Sequence, residues 1–212
     1  MKNNVTGNDR VVWMLKTRGP QPLTAIASEM KVTTEGARFQ LLKLANEGLV
    51  ESSTVSKGRG RPQQIWALTN EGQNRFPDMH AELTVKLISM IRETLGEAAL
   101  DAVIEANGQS GVVKYQQELN GIVDLEKKVA QLAEVRDREG YMAEYEKDEE
   151  GFLLIENHCP ICAAATECQN FCVSELKTFR TVLGENVKIK RVDHILSGSR
   201  RCAYRIQEIE VK

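Results

Sequence analysis

The five cysteines of this 212-residue chain all lie in its last quarter. Four of them fall within fourteen residues, and the full set is Cys159, Cys162, Cys168, Cys172 and Cys202. One buried cysteine behaves as a small hydrophobe, but a cluster this dense favours metal binding or thiol redox chemistry. The cluster constrains the fold, because separate elements must bring these thiols together before they can share a metal.

Length and composition predict a globular chain with one or two hydrophobic cores, since 42% of its 212 residues are hydrophobic. No stretch approaches the roughly 18 consecutive apolar residues of a membrane span, and the first residues lack the apolar core of a secretory signal. We therefore expect a cytoplasmic protein with no membrane partner. In that reducing compartment, clustered cysteines are seldom structural disulfides.

Positive charge is concentrated in the first part of the chain, although the net charge of the whole is only -2. Residues 1–80 carry 11 Lys and Arg against 7 Asp and Glu, a net charge of +4. The remaining residues carry 17 against 23, a net charge of -6. This asymmetry permits the first part to meet nucleic-acid phosphates, which require only a few well-placed cations.

The order of predicted elements in residues 1–76 is that of a winged helix-turn-helix domain. Apolar residues at helical spacing predict helices from Asp9 to Arg18, from about Leu23 to Met30 and from about Thr34 to Glu47. Two strands follow, at 49–53 and 63–68, and the loop between them is rich in Lys, Gly and Arg. This loop is interpreted as the wing.

The predicted third helix and the wing carry the candidate DNA-binding residues. They are Thr34, Glu35, Arg38, Phe39, Lys43, Lys57, Arg59 and Arg61. Side chains of the helix would reach base edges, and the wing cations would hold phosphates. A solvated basic hairpin on a helical domain of any function is the alternative. The combination of three helices, a hairpin and a basic tip favours double-stranded DNA.

Residues 77–150 are predicted to form helices that pair two copies of the chain. Ile122, Leu125, Val129 and Leu132 are spaced three, four and three apart, as in a short coiled-coil seam. An ordinary core helix is the alternative interpretation of so few repeats. We favour a homodimer, because a pseudo-palindromic operator requires a two-fold symmetric protein. The charge-rich stretch 136–151 is interpreted as a solvated helix end and linker.

Residues 151–212 are predicted to form a small α+β domain that contains all five cysteines. Its elements are a strand at 152–156, a helix at 163–183 and strands at 187–195 and 203–211. On one helix, Cys168 and Cys172 would be neighbours four residues apart, so a loop, a helix and a hairpin could bring four thiolates together. The expected fold class is therefore mainly α with α+β: a winged helix-turn-helix, central dimerisation helices and this domain.

Several motifs along the chain point to one group of proteins. They are Gly58-Arg59-Gly60-Arg61-Pro62, Leu68-Thr69, Phe76-Pro77, Asn157-His158-Cys159-Pro160-Ile161, Cys172, Glu175-Leu176, Arg191, His194, Gly198 and Cys202-Ala203-Tyr204. Together they resemble the SufR-type iron-sulfur-sensing winged-helix regulators, which carry DeoR/ArsR-like helix-turn-helix domains. The resemblance covers nearly the whole chain. It implies a homodimeric repressor, not an enzyme, that controls genes for iron-sulfur cluster assembly.

The resemblance also implies that Cys159, Cys172 and Cys202 are cluster ligands. The family has a further cysteine between the last two, whereas this chain has none from residue 173 to 201 and carries Asn186 in that region. Cys168 is therefore taken as the fourth metal ligand, with Cys162 in reserve.

The cofactor expected is a 4Fe-4S cluster, because four thiolates can each bind one corner, with a 2Fe-2S cluster as the second option. A structural zinc site and a thiol-redox switch that uses Cys162 and Cys168 are the nearest alternatives. A cysteine-dependent enzyme, with His158 or His194 as the activating base, is a hypothesis of a different class. It is disfavoured because no substrate-positioning acid, phosphate loop or cofactor fingerprint accompanies those residues.

Overall fold

The structure is a computed structural model that describes residues 7–55 and 62–209. The chain divides into two compact units, residues 1–78 (unit 1) and residues 79–212 (unit 2). Within the described residues it is a mixed α/β structure with two small antiparallel sheets, which confirms the coarse prediction of helices combined with strands. No helix there is long and apolar enough to cross a membrane.

Unit 1 contains four helices and three strands in its described residues. The elements are α1 (Gly7–Arg18), β1 (Gln21–Pro22), α2 (Leu23–Met30), α3 (Thr34–Asn46), β2 (Val50–Val55), β3 (Gln63–Leu68) and α4 (Asn70–Asn74). The strands form an antiparallel sheet in the order β1-β3-β2. Helix α3 begins where the Thr33 hydroxyl accepts a hydrogen bond from the Gly36 amide at 3.1 Å, which satisfies one of the free amides of the first turn.

The core of unit 1 is formed by the apolar faces of these helices and by Trp66 of β3. Val11, Ile26, Leu41 and Leu44 are completely buried. Their spacing within each helix produces one apolar stripe, and burial of that stripe is the main source of stability for helices this short.

Unit 2 contains five α-helices and four strands in its described residues. The elements are α5 (His80–Leu95), α6 (Glu97–Glu118), α7 (Leu125–Arg136), β4 (Ala143–Asp148), β5 (Gly151–Glu156), α8 (Cys162–Glu167), α9 (Asn170–Leu183), β6 (Val187–Asp193) and β7 (Cys202–Glu208). The sheet has the order β4-β5-β7-β6 and is antiparallel throughout. Helix α6 packs on α9, and α5 packs on α6 and α8. Gly108 permits the first contact, since a Cβ there would clash with the Ser174 hydroxyl.

The predicted coiled-coil seam lies in the interior of unit 2. Leu125, Val129 and Leu132 belong to a hydrophobic core shared with the sheet and with α9, and the last two are completely buried. They therefore do not present a seam to a second copy. The interpretation as an ordinary core helix is the correct one, because three or four apolar residues at this spacing pack equally well against a sheet.

Two further predictions for this region are wrong. The stretch 136–151 is not a solvated linker, because Arg136 is only 3% exposed and β4 occupies 143–148. The single helix predicted at 163–183 is two helices, α8 and α9, with an extended backbone at Cys168 (φ -145, ψ 107) between them. Cys168 and Cys172 therefore do not share one face of a continuous helix.

Candidate functional site

The cysteines of unit 2 are positioned by a turn, two helices and the sheet. Cys159 lies in the turn after β5, and its carbonyl accepts a hydrogen bond from the Cys162 amide at 3.2 Å, where α8 begins. Cys172 lies in the first turn of α9, and Cys202 is the first residue of β7. In the β5-β7 ladder Cys202 faces Glu156, three residues before Cys159. The sheet register thus brings the two ends of the cysteine region together.

Cys162 and Cys202 act electrostatically on both Cys159 and Cys172. Burial raises the pKa of Cys159 to about 12, and the neighbouring Cys162 and Cys202 add to the shift. Burial likewise raises the pKa of Cys172 to about 11, again with Cys202 and Cys162 contributing. The pKa of Cys202 is also raised by burial. Burial therefore keeps Cys159, Cys172 and Cys202 protonated in the metal-free protein at neutral pH. Cys159, Cys162, Cys172 and Cys202 are here called the thiol group.

Two backbone amides of the surrounding loops oppose that effect. The Ile161 amide donates a hydrogen bond to the sulfur of Cys159, and the Ile195 amide donates one to the sulfur of Cys202. Both bonds lower the pKa of their thiol against the effect of burial. Hydrogen bonds of this kind stabilise thiolates and are one means by which proteins tune metal-bound sulfur.

Cys168 occupies a different environment from the thiol group. It is 6% exposed and packs with Ile88, Leu100, Ile104 and Ala164 in an apolar cluster between α5, α6 and α8. Cys202, in contrast, belongs to the core that α7, α9 and the sheet form. The reserve residue Cys162 acts electrostatically on Cys159 and Cys172, whereas Cys168 packs in this separate cluster. Within residues 7–55 and 62–209, no three His, Cys, Asp or Glu side chains are arranged as a metal-ion site.

A buried ion network adjoins the thiol group and was missed by sequence reasoning. Arg136 donates from Nε to Glu156 at 2.6 Å, from Nη1 to the Tyr115 hydroxyl at 2.9 Å, and from Nη2 to Glu175. Its guanidinium also lies 3.3 Å from the centre of the Tyr141 ring. Burial raises the pKa of Glu156, and the charge of Arg136 opposes that shift. Nothing in the local sequence distinguishes Arg136 from the charged residues that follow it.

A second arginine connects this network to the thiol group. Arg191 of β6 donates from Nη2 to the carbonyl oxygen of Cys172 at 2.5 Å and lies 3.4 Å from the Tyr204 hydroxyl. Tyr204 in turn donates to Glu175 at 2.8 Å. Arg191 Nε and His194 Nε2 are both buried and have no hydrogen-bond partner among the described residues. Arg191, Glu175 and His194 belong to the motifs that carried the family resemblance, which was the one sequence signal for them.

A cavity of about 430 Å³ opens between α6 and α9 beside the cysteine turn. Its lining includes Pro160, Lys114 and Glu139, together with Arg136 and Glu175 of the ion network. These four charged groups already pair with one another, Lys114 with Glu139 and Arg136 with Glu175. These four side chains therefore form ion pairs within the protein.

The predicted DNA-binding residues that can be described lie on the exposed face of α3. Thr34, Glu35, Arg38, Phe39 and Lys43 are all exposed, and Arg38 lies 3.7 Å from Glu35 in a weak ion pair. Phe39 is 74% exposed and its neighbour Leu42 is 50% exposed, which is unusual for a helix face that meets only solvent. The remaining candidates, Lys57, Arg59 and Arg61, lie outside the described residues.

Comparison with known proteins found no matching family model, no similar curated protein and no similar solved structure.

Proposed function

We propose that this chain is a DNA-binding transcriptional repressor that senses iron-sulfur cluster or redox status through a cluster bound by cysteines of unit 2. The observation that carries the proposal is the placement of the thiol group: Cys202 pairs in the sheet with Glu156, three residues before Cys159, and Cys162 and Cys202 act electrostatically on Cys159 and Cys172. When bound, such a cluster supplies a group that oxidants and iron shortage remove. The donor set fits, because four cysteine thiolates are the usual ligands of a 4Fe-4S cluster.

The ligands in this proposal are Cys159, Cys162, Cys172 and Cys202. Each must lose its proton to bind iron. Burial opposes that loss at Cys159, Cys172 and Cys202 in the metal-free protein, because it raises the pKa of these three thiols. The Ile161 amide favours the thiolate form of Cys159, and the Ile195 amide favours that of Cys202. Cys168 contributes to packing between α5, α6 and α8 instead.

The DNA half of the proposal is supported by the element order of unit 1 and by the exposed face of α3. The order of α1, β1, α2, α3, β2 and β3 is the one expected for a winged helix, with β2 and β3 joined through the basic loop. Apolar Phe39 and cationic Arg38 and Lys43 stand on the same exposed surface. In a major groove, the apolar side chain would contact thymine methyl groups, and the two cations would donate to acceptors on base edges. Two copies would read a pseudo-palindromic duplex.

The cofactor is tested by iron, acid-labile sulfide and zinc analysis of anaerobically purified protein, with an absorption spectrum. We expect brown protein with about four iron per chain. Cys162→Ser should lose most of the iron, whereas Cys168→Ser should retain it, which makes the second variant a matched control. The reverse ranking would move the fourth ligand to Cys168. Colourless protein with one zinc per chain would establish the structural zinc site instead.

The DNA partner is tested by selection from a library of random-sequence duplexes, which should recover a pseudo-palindromic site. Arg38→Ala should lower affinity for that site by about 1–3 kcal/mol and relax its specificity.

Joint replacement of Arg59 and Arg61 by alanine should reduce the slope of log affinity against log salt by about one per lost phosphate contact. Arg18→Ala is the charge-matched control, because Arg18 pairs with Glu29 on another part of unit 1. Equal effects of all variants would exclude a specific interface at α3 and the wing.

A further inference from the structure

Arg191 lies beside Cys172 of the thiol group and has one unpaired buried donor atom, Nε, among the described residues. Its side chain is 14% exposed and is anchored by the carbonyl of Cys172 and by Glu175, whose carboxylate lies 3.9 Å away. The guanidinium also lies 5.2 Å from the centre of the Tyr204 ring. These contacts fix the plane of the group, yet the Nε–H is buried without a partner among the described residues. An unpaired buried donor on a charged group is costly, so it calls for an acceptor.

The charge of Arg191 acts on the cysteines themselves. Arg191 Nη2 donates to the carbonyl oxygen of Cys172 at 2.5 Å, which places the guanidinium next to that residue. A cation at this place favours negative charge on the neighbouring sulfur. It also favours any further negative charge that is added there, in an interior where charges are weakly screened.

We infer that Arg191 is a positioning residue for the iron-sulfur cluster, whose free Nε–H donates to sulfur and whose charge raises the reduction potential. The inference rests on the proposed function, because it requires a cluster on Cys159, Cys162, Cys172 and Cys202. One-electron reduction makes the bound cluster more negative by one unit, and the electron comes from the electrode or reductant used. Hydrogen bonds to sulfur and nearby charge are two established determinants of that potential. The reduced state is stabilised more than the oxidised state, so the potential rises.

The experiment uses full-length protein, reconstituted anaerobically with iron and sulfide, and its Arg191→Gln and Arg191→Lys variants. Iron and sulfide content are measured first, and the potential is then followed by absorbance in a spectroelectrochemical titration. We expect a shift to more negative potential in Arg191→Gln. A smaller shift in the same direction is expected in Arg191→Lys, which keeps the charge but not the planar donor group. Arg180→Gln is the matched control, because exposed Arg180 also donates to a backbone carbonyl, that of Ile189 at 3.1 Å, and should leave the potential unchanged.

The outcomes separate this inference from the proposed function. Wild-type protein that takes up no iron overturns both. A wild-type cluster with an unchanged potential in Arg191→Gln overturns only the role of Arg191. If Arg191→Gln folds poorly, as judged by circular dichroism, Arg191→Lys decides: an unchanged potential there overturns the inference, and a negative shift supports it.

Discussion

The two units of the chain differ in what their cores contain. In the described part of unit 1, the buried core is apolar throughout, and the charged residues lie at the surface. The interior of unit 2 includes Arg136, Glu156 and Thr178, which are 3%, 2% and 5% exposed. Burying an ion pair costs several kcal/mol per ion, and apolar side chains of similar volume often serve stability as well or better. The buried ions of unit 2 therefore point to a role other than stability, whereas unit 1 keeps its candidate function on an exposed face.

The first prediction concerns Arg136, the cation at the centre of the ion network. Arg136→Met leaves buried Glu156 and partly buried Glu175 without their shared cation and should destabilise unit 2 by about 3–5 kcal/mol. Both tryptophans, Trp13 and Trp66, lie in unit 1. The unfolding transition followed by circular dichroism should therefore move to lower urea, whereas the transition followed by tryptophan fluorescence should not move. The control is Arg138→Met, because exposed Arg138 pairs only at the surface, with Glu118. Equal destabilisation by the two variants would contradict the contrast between the cores.

The second prediction addresses the apolar core of unit 1. Leu41 is completely buried, so Leu41→Ala should cost about 2–5 kcal/mol through lost burial and a cavity. The tryptophan fluorescence transition should move to lower urea. Leu42, the residue after Leu41, is 50% exposed, and Leu42→Ala should change stability by less than about 0.5 kcal/mol. If Leu42→Ala also proved costly, its face would be packed in the folded protein and could not be the open surface that we assign to DNA.

The third prediction concerns the start of α3. Thr33→Ala removes the side-chain acceptor for the Gly36 amide and should lower the stability of unit 1 by about 1 kcal/mol. Thr34→Ala, one residue along and exposed, is the control and should stay within about 0.5 kcal/mol of wild type. Thermal unfolding monitored by tryptophan fluorescence measures both. Identical curves for the two variants would mean that the cap does not hold the helix.

The smallest effect is expected at the rim of the ion network and depends on pH. Burial opposes ionisation of Glu139, but hydrogen bonds from Lys114 and Tyr115 and the charge of Arg136 outweigh it and lower its pKa below 4.5. Its stabilising contribution is then complete above about pH 4.5 and is lost as the pH falls through the lowered folded-state pKa. Glu139→Gln should therefore be less stable than wild type at pH 6, and the difference should shrink towards pH 3. A difference that grows on acidification would reverse the assigned sign.

Local patterns determined the bounds of several elements of this protein. The helix predicted from 34 to about 47 is α3, which ends at Asn46, and the strand predicted at 152–156 is β5, which begins one residue earlier. Both follow from information within one segment: the spacing of apolar residues, a capping hydroxyl at Thr33, and a terminating glycine or turn. The clustering of the cysteines likewise limited the site to one region of the chain.

The tertiary structure decided which faces are buried and which environment each cysteine occupies. The spacing of Leu125, Val129 and Leu132 suits a second helix or a sheet equally well, and only long-range packing selects the sheet. Cys168 does not share a helix face with Cys172 because the chain becomes extended at Cys168, which then packs against α5 and α6. Arg136 is buried because carboxylates from β5 and α9, 20 and 39 residues away, converge on it. Periodicity and propensity describe neighbours along the chain, whereas these contacts depend on free energy shared between distant segments.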